Sequence, residues 1–413
     1  MWKALQHKNF ARLFYAALIS EIGTRIHRIA LLVLVYTTTG NVLWVSLALG
    51  VQLVTTVAVA PVLSAWADGQ ERRRLMVLSD LGRVLLVPLI PALGMQSPVI
   101  LLTLIFAIEV LRNIHEPVVL AVIPELIPES DLDAANALML FTQRFAEVAF
   151  VGLAGVLVGL VGAAPAFWID ALSYLLSALI LMRLPLLAGA VARPGGYWLR
   201  VREGIGFLVR QPAIRRTVGI LFAAAMFGSV ESVLGVALAV SVLNVGSTGF
   251  GVLEAAMALG AVVGTVLVPK LTEHLPRERL FLLGLLAFGL FEASIGALPI
   301  FGWTLIAYLF AGQLNMAFII PARSILQLNT PSELRTRVFA AFGAVMNGAV
   351  LIGTLFGGAL ERPLGVPLVF VLAGLMVAAV AALMLARGGL SSLKTFARVL
   401  NTQVSIWHKH SFE

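Results

Sequence analysis

The chain has 413 residues, 60% of them hydrophobic and only 12% charged, with a formal charge of +8 and no cysteine. A soluble domain carries roughly 25% charged residues to cover itself with polar surface, so the composition excludes an ordinary soluble globule. The missing cysteine excludes a disulfide framework, a cysteine metal site and a thiol nucleophile.

Apolar runs recur from end to end, each long enough to cross a hydrocarbon core about 30 Å thick at about 1.5 Å per residue. The alternating segments of about 10 residues that mark an outer-membrane barrel are not seen. The start, MWKALQHKNFARLF, lacks a small-residue cleavage site, so the first apolar run reads as a retained span rather than a signal peptide. Hydropathy with Gly, Pro and charge breaks predicts twelve spans near 10–37, 42–66, 75–95, 98–123, 134–160, 164–184, 214–243, 249–269, 280–297, 303–325, 336–360 and 365–386.

Lys and Arg collect on one side of this topology: Lys3, Lys8 and Arg12, then Arg72, Arg73 and Arg74, the loop 183–216, the loop around 270–279, and the tail. The opposite side holds Arg362. The positive-inside rule then places both termini in the cytoplasm, and the basic charge calls for no nucleic-acid partner. The loop RPGGYWLRVREGIGFLVRQPAIRR divides the chain six spans from six, and its mixed basic and aromatic pattern predicts an interfacial helix. The expected division is a bundle over 1–185, a linker over 186–213, a second bundle over 214–390 and a tail over 391–413, which reads equally as a surface helix or as disorder.

Ionisable residues inside spans are costly, at least about 2.5–3.5 kcal/mol each on insertion scales, and function is the default explanation. The first span holds Glu21, Arg25 and Arg28; the fourth Glu109, Arg112, His115 and Glu116; the fifth Arg144 and Glu147. Asp170, Glu231, Glu254, Glu292 and Arg323 follow in the sixth to tenth. Glu21 and Arg25 share a helical face four residues apart, as do Arg112 and Glu116. Counted from Phe10, Glu21 lies about 16 Å along its helix, close to the midplane. A proton-coupling carboxylate must alternate between charged and neutral forms beside a movable cation. Glu21 with Arg25 or Arg112 fits that need, and a structural salt bridge fits the same residues. Glu116 and Glu231 are further candidates. Asp170 and Glu254 stand near the starts of their spans and read as caps or rim charges, and His27 reads as a packed polar residue or a relay.

The two halves resemble each other at an offset of about 205 residues: ADGQERRRL falls on TEHLPRERL, and IGTR on FGSV. Parallel six-helix repeats are a transporter plan, with the site at the midplane between them. With SEIGTRIHRIAL, PVLSAWADGQERRRLMVLSDLGR, RNIHEPVVLAVIPELIPESDLDAANAL, AFWIDALSYLLSAL and TPSELRTRVFAAFGAVMNGAVLIGTLFGGAL, the chain resembles the major facilitator superfamily over nearly its whole length. Within it, these segments are similar to the bacterial exporter branch that includes macrolide-efflux and enterobactin-export proteins.

That resemblance implies an all-α integral membrane fold of twelve transmembrane helices in two pseudo-symmetric six-helix bundles. It implies a monomer in the bacterial cytoplasmic membrane that exports an amphiphilic organic compound against protons by alternating access, without a cofactor. Asp68, Arg72, Arg73 and Arg74 match the family's inner-loop latch between spans two and three, although Ser64 replaces its first Gly and Gly69 its usual Arg. Arg112 matches the fourth-span arginine. Glycines in VGLAGVLVG and IGTLFGGAL resemble the antiporter signature, with Leu153 where that signature has Pro; helix packing explains them as well. Ser20 and Gly23 match the family's first-span pattern, while Thr24 stands where relatives often carry Asp, which leaves Glu21 one turn earlier. The alternatives are export of a siderophore or lipid-like substrate, uniport, or a transporter-like sensor without turnover. No GxxxxGK[ST] loop provides for ATP, and the scattered histidines offer no metal or triad spacing for an enzyme.

Overall fold

The computed structural model describes residues 2–67, 70–128, 131–186, 197–330 and 335–386. Asp68, the loop centre 187–196 and the tail from 387 therefore lie outside the described residues. Every regular element among those residues is helical, because a backbone in hydrocarbon must satisfy its own N–H and C=O groups.

The first half contains α1 (Lys8–Thr39), α2 (Val42–Val54, continued by a π-turn Thr55–Val59 and by Ala60–Ala67) and α3 (Arg72–Leu86, continued by Leu89–Leu93). These are followed by α4 (Pro98–Leu126), α5 (Leu132–Val161) and α6 (Ala163–Leu181). A separate helix, α7 (Tyr197–Arg210), lies in the expected linker. The second half contains α8 (Pro212–Gly228), α9 (Val230–Ala237), α10 (Gly246–His274), α11 (Arg277–Ala297), α12 (Phe301–Leu328), α13 (Arg335–Leu364) and α14 (Val366–Ala386).

Among the described residues, 10 helical stretches are long and apolar enough to cross a membrane. The long helices outside that set are α1, with 32 residues, and α5, with 30. Charged groups such as Arg12, Glu21, Arg25 and Arg28 lower the apolarity of α1 without shortening it. Large apolar side chains such as Leu85, Val99 and Leu160 lie on the outside, as lipid contact demands and water would not allow.

Tight turns reverse the chain. After α1, Gly40 takes the left-handed conformation with φ 59° and donates its N–H to the Tyr36 carbonyl at 2.8 Å. Asn41 then accepts a hydrogen bond from the Leu43 N–H at 2.9 Å and caps α2.

Within the first half, α1 packs on α5 and α6, and α3 on α4 and α6. Within the second, α10 packs on α12, α11 on α12 and α14, and α8 on α13. Two seams join the halves, α5 with α10 and α2 with α13. Glycine makes both seams possible. A Cβ on Gly155 would stand 2.8 Å from the Gly251 nitrogen and 2.9 Å from the Ser247 carbonyl. On the other seam, a Cβ on Gly358 would stand 3.3 Å from Leu43 Cα. Tyr36 donates to Ser241 Oγ across the halves at 2.9 Å. All these contacts lie toward the end where α1 finishes and α2 begins, here the Tyr36 end. At the opposite Arg72 end, Val62 and Trp66 of α2 are exposed.

Amphipathic α7 packs on α13. Its Leu208 is buried with Ile214, Val218, Leu326, Val338 and Ala341, while Arg202 and Arg210 face outward.

Candidate functional site

Helical spacing brings Glu21 and Arg25 onto adjacent turns of α1, where Arg25 Nε donates to Glu21 Oε1 at 2.8 Å. Both side chains are about one-fifth exposed. On α4, Arg112 Nε donates to Glu116 Oε1 at 2.7 Å, and its Nη1 stands 3.6 Å from Glu109 Oε1. The cations expected at Glu21 were Arg25 or Arg112. The structure pairs Glu21 with Arg25, and the carboxylates around Arg112 are Glu116 and Glu109.

Behind these pairs lies a buried polar layer. Asp80 and Arg83 of α3 are 0% and 3% exposed and form an ion pair one turn apart. The Arg83 guanidinium stacks 4.0 Å above the Tyr174 ring of α6, where a cation meets the negative face of the π system. The Tyr174 hydroxyl shares a hydrogen bond with Thr24 at 2.9 Å. His115 Nε2 stands 3.5 Å from Asp80, and His27 Nδ1 stands 2.9 Å from Asp170, both at ion-pair distance without hydrogen-bond geometry. Asp170 is therefore neither a cap nor a rim charge: it is fully buried, and Gly23 leaves the room it needs against α1. Sequence reasoning passed over Asp80 and Arg83, although an i,i+3 acid–base pair inside SDLGR of an apolar run was a legible signal.

In the second half, the expected seventh span is one apolar helical stretch over Ile214–Val242. At its middle, between α8 and α9, Ser229 keeps helical backbone angles and donates its N–H to the Ala225 carbonyl at 3.1 Å, while its Oγ donates to the Met226 carbonyl at 2.9 Å. Glu231 sits in the first turn of α9 and lines a cavity of about 780 Å³. Polar lining comes from Ser232, Asn315, Arg323, Gln327 and Asn347, and apolar lining includes Phe288, Phe318, Phe339 and Phe342. Of the aromatics available to line such a space, Trp168 is largely exposed and Phe14 is packed in the core. Glu254 is half-buried and lies within electrostatic reach of Glu231, as do Glu292 and, from α1, Arg28.

At the Arg72 end, the arginines of the inner loop are held within their own half. Arg72 pairs with Glu125 of α4, and Arg73 donates to the Leu184 carbonyl at 3.0 Å. Glu71 caps α3 by accepting from the backbone N–H groups of Arg73 and Arg74 at 3.0 and 2.9 Å. The acidic member, Asp68, lies outside the described residues. Nearby, His7 at 3.0 Å and Lys3 at 3.3 Å fasten the N-terminal segment to Asp131, and they hold its carboxyl below the ordinary value.

Comparison with known proteins fits this arrangement. The model of the family described as transmembrane secretion effector, of the major facilitator type, matches residues 1–404. YfiS, an uncharacterized MFS-type transporter of Bacillus subtilis (strain 168), is 24% identical over 397 residues, covering 90% of this chain and 91% of the relative. Macrolide efflux protein A of Streptococcus pyogenes is 22% identical over 391 residues, covering 90% and 94%. Among solved structures, a mutant of the nucleoside transporter NupG superposes with a TM-score of 0.78 at 11% identity, over 92% of this chain and 99% of that one. A bacterial homologue of the lysosomal transporter Spinster, inward-facing and unoccupied, gives 0.73 at 14% identity over 92% and 95%.

Proposed function

The chain belongs to the transmembrane secretion effector family of the major facilitator superfamily and is an MFS-type transporter; from that premise we propose that it is a proton-coupled exporter of an amphiphilic organic compound. The substrate class is that of drugs and macrolides, which the efflux relative supports. Transport proceeds by alternating access between two six-helix bundles, 1–185 and 214–390, with the linker and both termini in the cytoplasm of a bacterial inner membrane.

The observation that carries this reading is the placement of ionisable groups. Glu21, Arg25, Arg112, Glu116 and Glu231 lie on spans of both halves, and the closest approaches between those halves cluster toward one end. On the positive-inside assignment, that closed Tyr36 end is the outer face and the cavity opens to the cytoplasm. Asp68, Arg72, Arg73 and Arg74 form the inner latch of the opposite state, in which that face closes.

A second reading, a lipid-like substrate, draws support from an apolar slot of about 240 Å³ bordered by Met226, Phe227, Phe356 and Met376. Purified protein in proteoliposomes, offered a compound panel that includes macrolides and lipid-like amphiphiles, tests both. Accumulation of a drug-like member that depends on an imposed proton gradient, and is lost in Glu21→Gln, is the expected result. Gradient-independent movement of every compound overturns coupling; selective movement of the lipid-like members favours the second reading.

A further inference from the structure

The outer face where α8 meets α14 carries a furrow that is basic at one end and apolar at the other. Near the start of α8, a shallow cavity of about 290 Å³ is bordered by Arg215, Arg216, Gly219 and Ile220 of α8 and by Val380 and Met384 of α14. Both arginines are exposed, and Arg215 forms no salt bridge among the described residues. Gly219 is exposed as well, and a Cβ there would meet no atom within 4 Å, so the floor of the cavity is open.

Farther along the same two helices lies the apolar slot of about 240 Å³, bordered by Phe227 of α8 and by Leu372 and Met376 of α14. Helical spacing sets the two spaces in line. Leu372, Met376, Val380 and Met384 recur at every fourth residue of α14, and Arg216, Ile220 and Phe227 follow one another at four and seven residues on α8. From Met384 to Leu372 is about 18 Å at about 1.5 Å per residue, slightly more than half of a hydrocarbon core about 30 Å thick. An acyl chain anchored at one membrane surface reaches about that depth.

The linker helix α7 enters α8 at the basic end. It exposes Ile205 and Val209 together with Arg202 and Arg210, the mixture carried by a helix that rests in a membrane interface. Basic pockets between spans on the cytoplasmic side attract anionic headgroups. The tail that follows α14 is itself basic, with Arg387, Lys394, Arg398 and Lys409 against Glu413, so its charge opposes a place beside Arg215 and Arg216. An anion that carries an apolar chain suits both ends of the furrow; a free phosphate suits one and an uncharged compound the other.

We propose that this furrow binds one anionic phospholipid: Arg215 and Arg216 hold its phosphate, and one acyl chain lies along α14 to the slot beside Phe227 and Met376. The lipid is a bound partner and not the transported compound, so the site does not depend on what the chain exports. That the lipid comes from the inner leaflet rests on the reading that puts the linker in the cytoplasm.

Native mass spectrometry of the full chain in detergent, titrated with phosphatidylglycerol, tests the site. Phosphatidylcholine with the same acyl chains isolates the headgroup charge, and glycerol 3-phosphate isolates the free anion. The expected result is one phosphatidylglycerol retained in preference to both. Arg215→Gln combined with Arg216→Gln should weaken its binding by about 30-fold, the loss of two cationic contacts of about 1 kcal/mol each. Gly219→Leu keeps both charges and should weaken binding by about 4-fold for each methylene it displaces, at about 0.8 kcal/mol. The open space at Gly219 accommodates that side chain, and thermal melting checks that each variant folds. Arg277→Gln, at an exposed arginine of α11, should leave binding unchanged.

No retained phosphatidylglycerol, equal retention of phosphatidylcholine or equal binding of glycerol 3-phosphate overturns the proposal. Unchanged binding in Gly219→Leu overturns it too, since charge without the furrow is then enough. A dimer that forms in place of the lipid complex and weakens in Gly219→Leu overturns it in favour of a contact between copies. If the lipid results hold while protease reaches the linker from outside intact cells, the site stands and the assigned leaflet falls.

Discussion

Replacing Gly155 with leucine should open the Tyr36 end. A Cβ there would lie 2.8 Å from the Gly251 nitrogen and 2.9 Å from the Ser247 carbonyl, and the remaining leucine atoms have no free volume on that seam. The neighbouring position leaves no slack, since a Cβ on Gly152 would stand 2.9 Å from Ala255 Cβ. Overpacking of a close helix contact costs about 1–3 kcal/mol. If that cost falls on the closed state alone, the population shifts by about 5- to 150-fold.

Because the chain has no cysteine, a single Ser46→Cys substitution gives a clean reporter. Ser46 is 0% exposed on the other seam, where α2 meets Gly358 of α13. Its labelling by a membrane-impermeant maleimide should accelerate by that factor in Gly155→Leu, and Gly155→Ala should fall between. A leucine variant that folds and labels at the parental rate would refute the idea that this glycine contact holds the end shut.

Three further outcomes follow from individual contacts. Arg83→Leu leaves Asp80 buried beside His115 without its guanidinium and should cost about 3–5 kcal/mol, read as a lowered Tm; Asp80→Leu with Arg83→Leu should recover much of it, and additive losses would show that the pair is not a unit. Glu21→Gln removes the acceptor of the Arg25 Nε bond, so substrate-dependent proton release should vanish while the protein stays folded; unchanged transport and release would show that Glu21 is structural. The Asp131 carboxyl, held below its ordinary value of 3.8 by His7 and Lys3, fastens the N-terminal segment fully above that value and should let go as pH falls through its lower folded-state value. Faster proteolysis near Lys3 and Lys8 in Asp131→Asn at neutral pH checks this, and equal rates for variant and parent would refute it.

What was legible in the sequence was local. Glu21–Arg25 and Arg112–Glu116 could be read because a helix fixes which side chains four residues apart must meet. The linker helix Tyr197–Arg210 was legible for the same reason, through its amphipathic period. Depth and long-range company were not. Asp170 sits seven residues into α6, about 10 Å along it, yet it is sealed by α1 because Gly23 lets the two helices close around it. Glu254 sits early in α10, yet it lies within electrostatic reach of Glu231 on another helix. The Asp170 case depends on a glycine in a different helix, and no period within one segment reports that. The latch arginines show a related gap: their positions were readable, but their present partners are an α4 carboxylate and an α6-end carbonyl, fixed only by tertiary packing.

The two halves handle buried charge in opposite ways, and this bears on where coupling resides. Among the described residues of the first half, buried acids have a base in contact: Glu21 with Arg25, Glu109 and Glu116 with Arg112, Asp80 with Arg83, Asp170 with His27. Such pairs compensate each other inside one rigid half, and moving the halves apart does not separate them. In the second half Glu254 and Glu292 lie within electrostatic reach of Glu231, and so does Arg28 of the first half. A charge balance that spans the moving boundary changes when the boundary moves; one confined to a single half does not.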